Sequence, residues 1–160
     1  MLTKLQNKDN LLIGIISDTH GRLQASATIA LAGVDLIIHA GDIDTPGVLK
    51  ELQAIAEVVA VRGNMDRGAW TKNLSESKVV KIGKVLLYVL HDLNDLSLEP
   101  AAAGFNAVIS GHSHRPSIIK QKGILYINPG STTQPRHNNP ASLALLQLTG
   151  EHLDVRIVDL

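Results

Sequence analysis

Two imidazoles stand one residue apart in Gly111-His112-Ser113-His114, directly after the apolar run Val108-Ile109. Imidazole is the commonest nitrogen ligand for Zn²⁺, Mn²⁺, Fe or Ni²⁺, and it binds when neutral, near its unperturbed pKa of about 6.5. A lone His-x-His is a weak sign of a metal site. Its company strengthens it: residues 11–16, 35–40, 58–61 and 85–90 are apolar runs that end in Asp18 and His20, in Asp42, in Asn64 and in His91. Strand ends are where α/β proteins assemble their sites. Two carboxylates, one carboxamide and four imidazoles are too many ligands for one tetrahedral ion and suit two ions that share a group. A carboxylate is the natural bridge, because its two oxygens and its charge can hold two cations about 3.5–4 Å apart. A neutral Asn oxygen adds no charge, which leaves such a centre receptive to phosphate.

The elements that must position these side chains alternate at first. Residues 11–16 read as a buried strand, apolar on both faces. Leu23, Ala27, Ala30 and Leu31 have helical spacing over 23–32, with Gly33 as the stop. A second strand covers 35–40, a helix opens at Thr45-Pro46 and runs to about Ala56, and a third strand covers 58–61. Residues 67–77 read as a loop or short helix, and a hairpin follows over 79–82 and 85–90. Residues 93–103 read as a helix interrupted or started at Glu99-Pro100. Beyond the strand into Gly111, two more hairpins are expected, over 117–127 and 142–158, each with a glycine in its turn. Strand–helix alternation followed by hairpins predicts two stacked sheets with helices outside.

The bulk numbers agree with one globular domain over 1–160, with residues 1–10 as a loosely ordered tail. A chain of this length buries roughly 68–70% of its unfolded surface. Aromatics make up only 2%, so the core must be Val, Ile, Leu and Ala, as in buried-sheet α/β folds. With 15 basic and 15 acidic residues, no basic stripe advertises nucleic acid or a membrane surface. The absence of cysteine excludes disulfides, thiolate metal sites and a cysteine nucleophile. The polar first ten residues carry no secretory leader, and no apolar run is long enough to span a bilayer, so a cytoplasmic protein is expected.

Asp18-x-His20, Gly41-Asp42, Gly63-Asn64, His91 and Gly111-His112-x-His114, in that order, resemble the calcineurin-like metallophosphoesterases. Asn128-Pro129-Gly130-Ser131 is similar to a motif of the small single-domain bacterial and archaeal phosphodiesterases in that family. The resemblance implies a four-layer α/β/β/α sandwich, two stacked mixed sheets flanked by helices, with a dinuclear site at one sheet edge. It implies that Asp18, His20 and His114 bind one ion, that Asn64, His91 and His112 bind the other, and that Asp42 bridges. Asp42, Asn64 and His91 then double as the candidate catalytic side chains. The implied reaction is attack of a metal-bridging hydroxide on phosphorus. The cofactors would be two divalent ions, Mn²⁺ first, with Zn, Fe, Ni or Co open. The implied partner is a small-molecule phosphate ester, and a homo-oligomer stays open.

Arg62, Asp66, Asn128 and Ser131 are candidates to touch substrate or to brace the ligands. Asp66 reads equally as a cap or turn residue. His39 lies inside a strand and reads as a core or bracing histidine, His137 and His152 as surface residues, and Arg22 as solvated. Two departures from the wider pattern bear on substrate. Met65 stands where many phosphoesterases have a proton-donating His, and Asp92-Leu93 replace the usual Gly-His after His91. Alternatives to a phosphodiesterase are a phosphomonoesterase on the same site and a non-catalytic scaffold. The latter would resemble the retromer subunit of this fold, whose first Asp-x-His motif has lost its histidine.

Overall fold

The computed structural model describes residues 5–160. The run Asn10–Ile16 forms β1 and packs on both faces, because its side chains alternate between two apolar layers. Leu11, Ile13 and Ile15 face one buried cluster, and Ile16 faces another. Parallel to β1 lies β2 (Leu36–His39), and parallel to β2 lies β3 (Glu57–Ala60). The crossovers carry the helices α1 (Ala25–Ala30) and α2 (Pro46–Gln53). Helix α1 comes so close to the sheet that a Cβ on Gly14 would sit 2.3 Å from Leu31 Cδ2. Helix α2 starts at Pro46, whose fixed φ suits a first turn, and buries Val48 and Leu52. Each such aliphatic side chain contributes about 1.5–3 kcal/mol on burial.

The remaining strands are β4 (Ser77–Ile82), β5 (Val85–Leu90), β6 (Ala107–Ile109), β7 (Ser117–Gln121), β8 (Ile124–Asn128), β9 (Ser142–Thr149) and β10 (His152–Asp159). They complete two mixed five-stranded sheets, ordered β10-β9-β1-β2-β3 and β4-β5-β6-β8-β7. The sheets stack on a layer built from Ile13, Ile15, Leu36 and Ile38 against Leu87, Val89, Ile109 and Ile127, among others. The hairpins after residue 76 and the strand–helix alternation before it are as the sequence predicts, with both helices shorter than the periodicity suggested.

One expectation is corrected. The helix expected over 93–103 is one 3-10 turn, Leu93–Asp95, followed by turns that end at Gly104. The Asp92 carboxylate accepts the Asn94 N–H and caps that single turn, and Pro100 prevents a longer run. The outer cover of the second sheet is therefore this irregular segment, whose Leu96 packs with Tyr88, Leu90 and Val108. Leu5 packs against the inter-sheet core, and the Gln6 side chain donates to Lys81 O (2.9 Å) and accepts from Gly83 N (3.2 Å). Residues 1–4 of the expected tail lie outside the described residues. Among the described residues no helix is long and apolar enough to cross a membrane.

Candidate metal centre

Because β1, β2 and β3 run parallel, their C-terminal ends share one edge of the first sheet, and the parallel pair β5–β6 ends beside them. Backbone bonds continue each sheet's pairing into its loops. Asp18 N donates to Gly41 O (3.0 Å) and Gly111 N to His91 O (2.9 Å). Glycine is required where the loops touch. A Cβ on Gly63 would lie 2.2 Å from Asp42 N and Oδ1, and one on Gly111 would lie 2.0 Å from Ser17 Oγ.

The candidate ligands converge at this seam. Asp18 Oδ1 lies 3.1 Å from His114 Nε2, 3.9 Å from His20 Nε2 and 4.0 Å from His91 Nε2. It is buried and makes no hydrogen bond of good geometry. Its other oxygen is taken by Ser17 Oγ (2.7 Å) and His112 N (3.0 Å). Asp18, His20 and His114 form one compact ligand group, and Asp18, Asp42 and His91 form a second. Asp42 Oδ2 lies 3.3 Å from His91 Nε2, while its Oδ1 accepts the Met65 N–H at 2.8 Å. Asn64 Oδ1 sits between His91 Nε2 (3.0 Å) and His112 Nδ1 (3.1 Å). All seven side chains singled out in the sequence thus stand together, and Asp18 belongs to both groups.

The tautomers are preset for a cation. His91 Nδ1 and His114 Nδ1 face the carbonyls of Ala40 (2.7 Å) and Gln134 (2.6 Å), which can only accept. Each ring therefore carries its proton there when neutral, and its Nε2 lone pair faces the cluster. His20 Nδ1 is held likewise by Asp44 Oδ2 at 3.1 Å. That leaves His20 Nε2 and His114 Nε2 facing each other at 3.3 Å. Two nitrogens bound tetrahedrally at about 2.0–2.1 Å to one ion are themselves about 3.3 Å apart. The buried unpartnered carboxylate oxygen and the facing lone pairs both fit a divalent cation.

The electrostatics report the same cluster of negative charge. Burial pushes the Asp18 carboxyl up, but the approach of His114, the Ser17 hydroxyl and the charge of His91 outweigh it and hold it below the usual carboxylate range. Asp42 is also lowered: burial opposes this, and His91 and the Met65 N–H prevail. His91 is raised, burial being overcome by Asp42 and Asp18. His114 is raised chiefly by Asp18, against burial.

The surrounding residues divide by what they touch. Asn128 Nδ2 donates to Gly111 O (2.8 Å) and Ser113 Oγ (3.0 Å), and Ser131 Oγ donates to Asp18 O (2.7 Å). Both brace the ligand loops and make no contact inside the cluster. His39 is fully buried. It accepts Gly41 N at Nδ1 (3.1 Å) and meets Thr19 Oγ1 at Nε2 (3.0 Å), which ties the Asp18 and Asp42 loops together. Burial drives its pKa down to about 3. Asp66 is buried and turned to backbone amides of the Asp42 loop. Arg62 lines a cleft of about 540 Å³ that opens from Asn64, His91 and His112 along Tyr88 and Leu90. His137 is exposed, its Nε2 held by the Arg115 guanidinium at 2.6 Å. Sequence reasoning missed Asp44 and Gln134. An acid two residues after Asp42 was a usable signal for Asp44, but a carbonyl that any residue could supply left none for Gln134.

Comparison with known proteins follows the same outline. The family model for the calcineurin-like phosphoesterase superfamily domain matches residues 11–151. A probable metallophosphoesterase of Methanothermobacter thermautotrophicus is 37% identical over 92% of each chain. A phosphodiesterase of Methanocaldococcus jannaschii is 30% identical over 74% of this chain and 82% of its own. In fold alone, Vacuolar Protein Sorting 29 from Cryptosporidium parvum superposes with a TM-score of 0.77 at 19% identity, over 94% of this chain and 98% of that one. The chain therefore belongs to the calcineurin-like phosphoesterase superfamily.

Proposed function

We propose that this metal-dependent phosphoester hydrolase acts, as one domain, on small-molecule phosphodiesters at a centre of two divalent ions. Asp18, His20 and His114 would hold one ion, Asn64, His91 and His112 the other, and Asp42 would bridge them. What supports the reading is that two ligand groups adjoin at one seam, His20 and His114 on one side of the buried Asp18 and Asp42 and His91 on the other. When bound, the ions lower the pKa of water and neutralise charge on phosphoryl oxygens. The chain's own work is positional. Ala40 O, Gln134 O and Asp44 fix three imidazoles with their lone pairs inward, and Met65 N–H occupies one Asp42 oxygen so that the other faces His91. Manganese is the ion proposed first, and a cytoplasmic site of action goes with the reading.

Two features favour diesters over monoesters. A cleft of about 540 Å³ beside Asn64 and His112 has room for an organic arm beyond the phosphate. Among the described residues that line it, Arg62 is the one Lys or Arg, and Glu76, Asp92 and Asp95 line it too, which suits a singly charged diester better than a dianionic monoester. The scaffold alternative is disfavoured by His20, which stands in the cluster and is oriented by Asp44. The test is turnover of an aryl diester and the matching monoester with Mn²⁺, alongside metal content of Asp42→Asn. The wild type should prefer the diester and hold two ions, and the variant should lose metal. Two ions retained in Asp42→Asn would remove Asp42 as the bridge, and a monoester preference would reverse the substrate assignment.

A further inference from the structure

In the loop after β2, Gly41, Asp42 and Asp44 all adopt left-handed backbone, with φ of 97°, 55° and 70°. These turns aim successive amides at one point. Asp42 N donates to Asp66 Oδ2 at 3.0 Å, and Ile43 N and Asp44 N donate to Asp66 Oδ1 at 2.8 Å each. Gly63 N, from the loop after β3, completes the set at 2.7 Å on Oδ2. A concave group of backbone amides is an anion-binding nest. Here the anion is supplied by the chain itself, from a side chain only 3% exposed. A carboxylate offers about four lone-pair sites, and four donors fill them. Asp66 therefore has nothing left for a metal ion, a substrate or a proton in flight.

The consequences reach both halves of the site. One of the captured amides belongs to Asp42, the proposed bridge. Another belongs to Asp44, whose carboxylate orients His20. The fourth belongs to Gly63, the residue before Asn64. From this geometry we infer that Asp66 is the positioning residue of the phosphoester reaction: it fixes the Asp42 and Asn64 loops against each other, so that ligands of both ions arrive in register. The role rests on the dinuclear reading above. It differs from simple stabilisation, because what it fixes is the relative placement of two loops whose ends carry ligands.

The test uses the full chain, with Mn²⁺ as the probe. Asp66→Asn keeps the shape but turns an NH₂ group toward two of the four amides. Asp66→Ala empties the nest and leaves room for formate. Measured by titration calorimetry, Mn²⁺ affinity should fall about 10–100-fold in each, as for other groups that orient metal ligands. Formate should restore part of that affinity to Asp66→Ala, while chloride at equal ionic strength should not. A folded variant that binds Mn²⁺ like the wild type overturns the role. So does an Asp66→Ala whose lost affinity formate leaves unchanged, since that is general loosening. If Asp66→Ala does not fold, the isosteric Asp66→Asn decides by its Mn²⁺ affinity. A wild type that binds and turns over while the variants are indifferent sinks this role alone; a wild type that does neither sinks the phosphoesterase reading and this role with it.

Discussion

The buried His39 makes a pH-dependent stability that can be isolated from the metal ligands. Its pKa falls from 6.5 to about 3 in the folded chain because burial penalises the imidazolium. Between those values the unfolded chain binds a proton that the native chain does not, so stability rises with pH across that window and falls as pH drops through it. The neighbouring groups are quiet there. His91 and His114 are raised, so their contribution is fully present below 6.5 and is lost only as pH climbs through their folded values. Asp18 and Asp42 are lowered, so theirs is present above 3.8 and is lost as pH falls through their folded values. Moving from pH 6.5 to about pH 5 should therefore cost about 2 kcal/mol through His39 alone, at 1.36 kcal/mol per unit. For a chain of this size that is a fall in Tm of about 4–8 °C. The assay is urea unfolding of chelator-treated protein at the two pH values, for the wild type and for His39→Gln. The variant will be less stable at both, since it disturbs the bonds to Gly41 and Thr19, but its pH slope should be nearly flat. Equal slopes in the two proteins would refute the reasoning.

Two further outcomes follow from the site. Mn²⁺ at about 100 times its Kd should add about 2.7 kcal/mol, raise Tm by several degrees and be reversed by chelator. That gain should weaken as pH falls, because the ion must displace protons from His91 and His114, and calorimetric titrations at two pH values read it directly. Diester turnover should fall steeply as leaving-group pKa rises, since acid catalysis, worth about 10²–10⁴-fold, has no evident donor at Met65. The Met65 side chain is half exposed and carries no ionisable proton, and His137 Nε2 is engaged by Arg115. A flat kcat/KM across substituted aryl diesters, with chemistry rate-limiting, would reveal an acid elsewhere.

The strands could be read from the chain because β-branched and leucine runs bounded by Gly, Asp and Asn admit few other folds. The seven candidate ligands could be read because each ends such a run. The segment after His91 could not: Leu93 and Leu96 have helical spacing, but Asp92 caps one turn and Pro100 forbids a continuation. The braces were hidden for a different reason. What holds His91 and His114 is backbone carbonyl, and what occupies Asp66 is backbone amide, and neither kind of group varies with residue type. Asp66 therefore read equally as substrate contact, outer brace or turn until the left-handed loop at 41–44 was in view.

That loop bears on whether the ions build the site or only occupy it. Asp18, His20, Asp42, His112 and His114 all hold left-handed backbone, which costs of order 1–3 kcal/mol for a non-glycine residue and least for Asp, Asn and His. Such strain persists only where the surroundings over-determine it. Here groups of the chain itself supply part of that. Ser131 and Thr133 hydroxyls hold Asp18 O, His112 N is bound by Asp18 Oδ2, and Asp66 gathers the amides of 42–44. The loops rise from two sheets stacked on a common apolar layer. A zinc finger, whose ligands meet only when metal folds the chain, is the opposite case. In this protein the bonds that hold the ligand loops are made between groups of the chain itself, so they should survive removal of the ion. Chelation should accordingly lower the melting temperature and abolish turnover while leaving the sheets, read by far-ultraviolet circular dichroism, unchanged at ambient temperature.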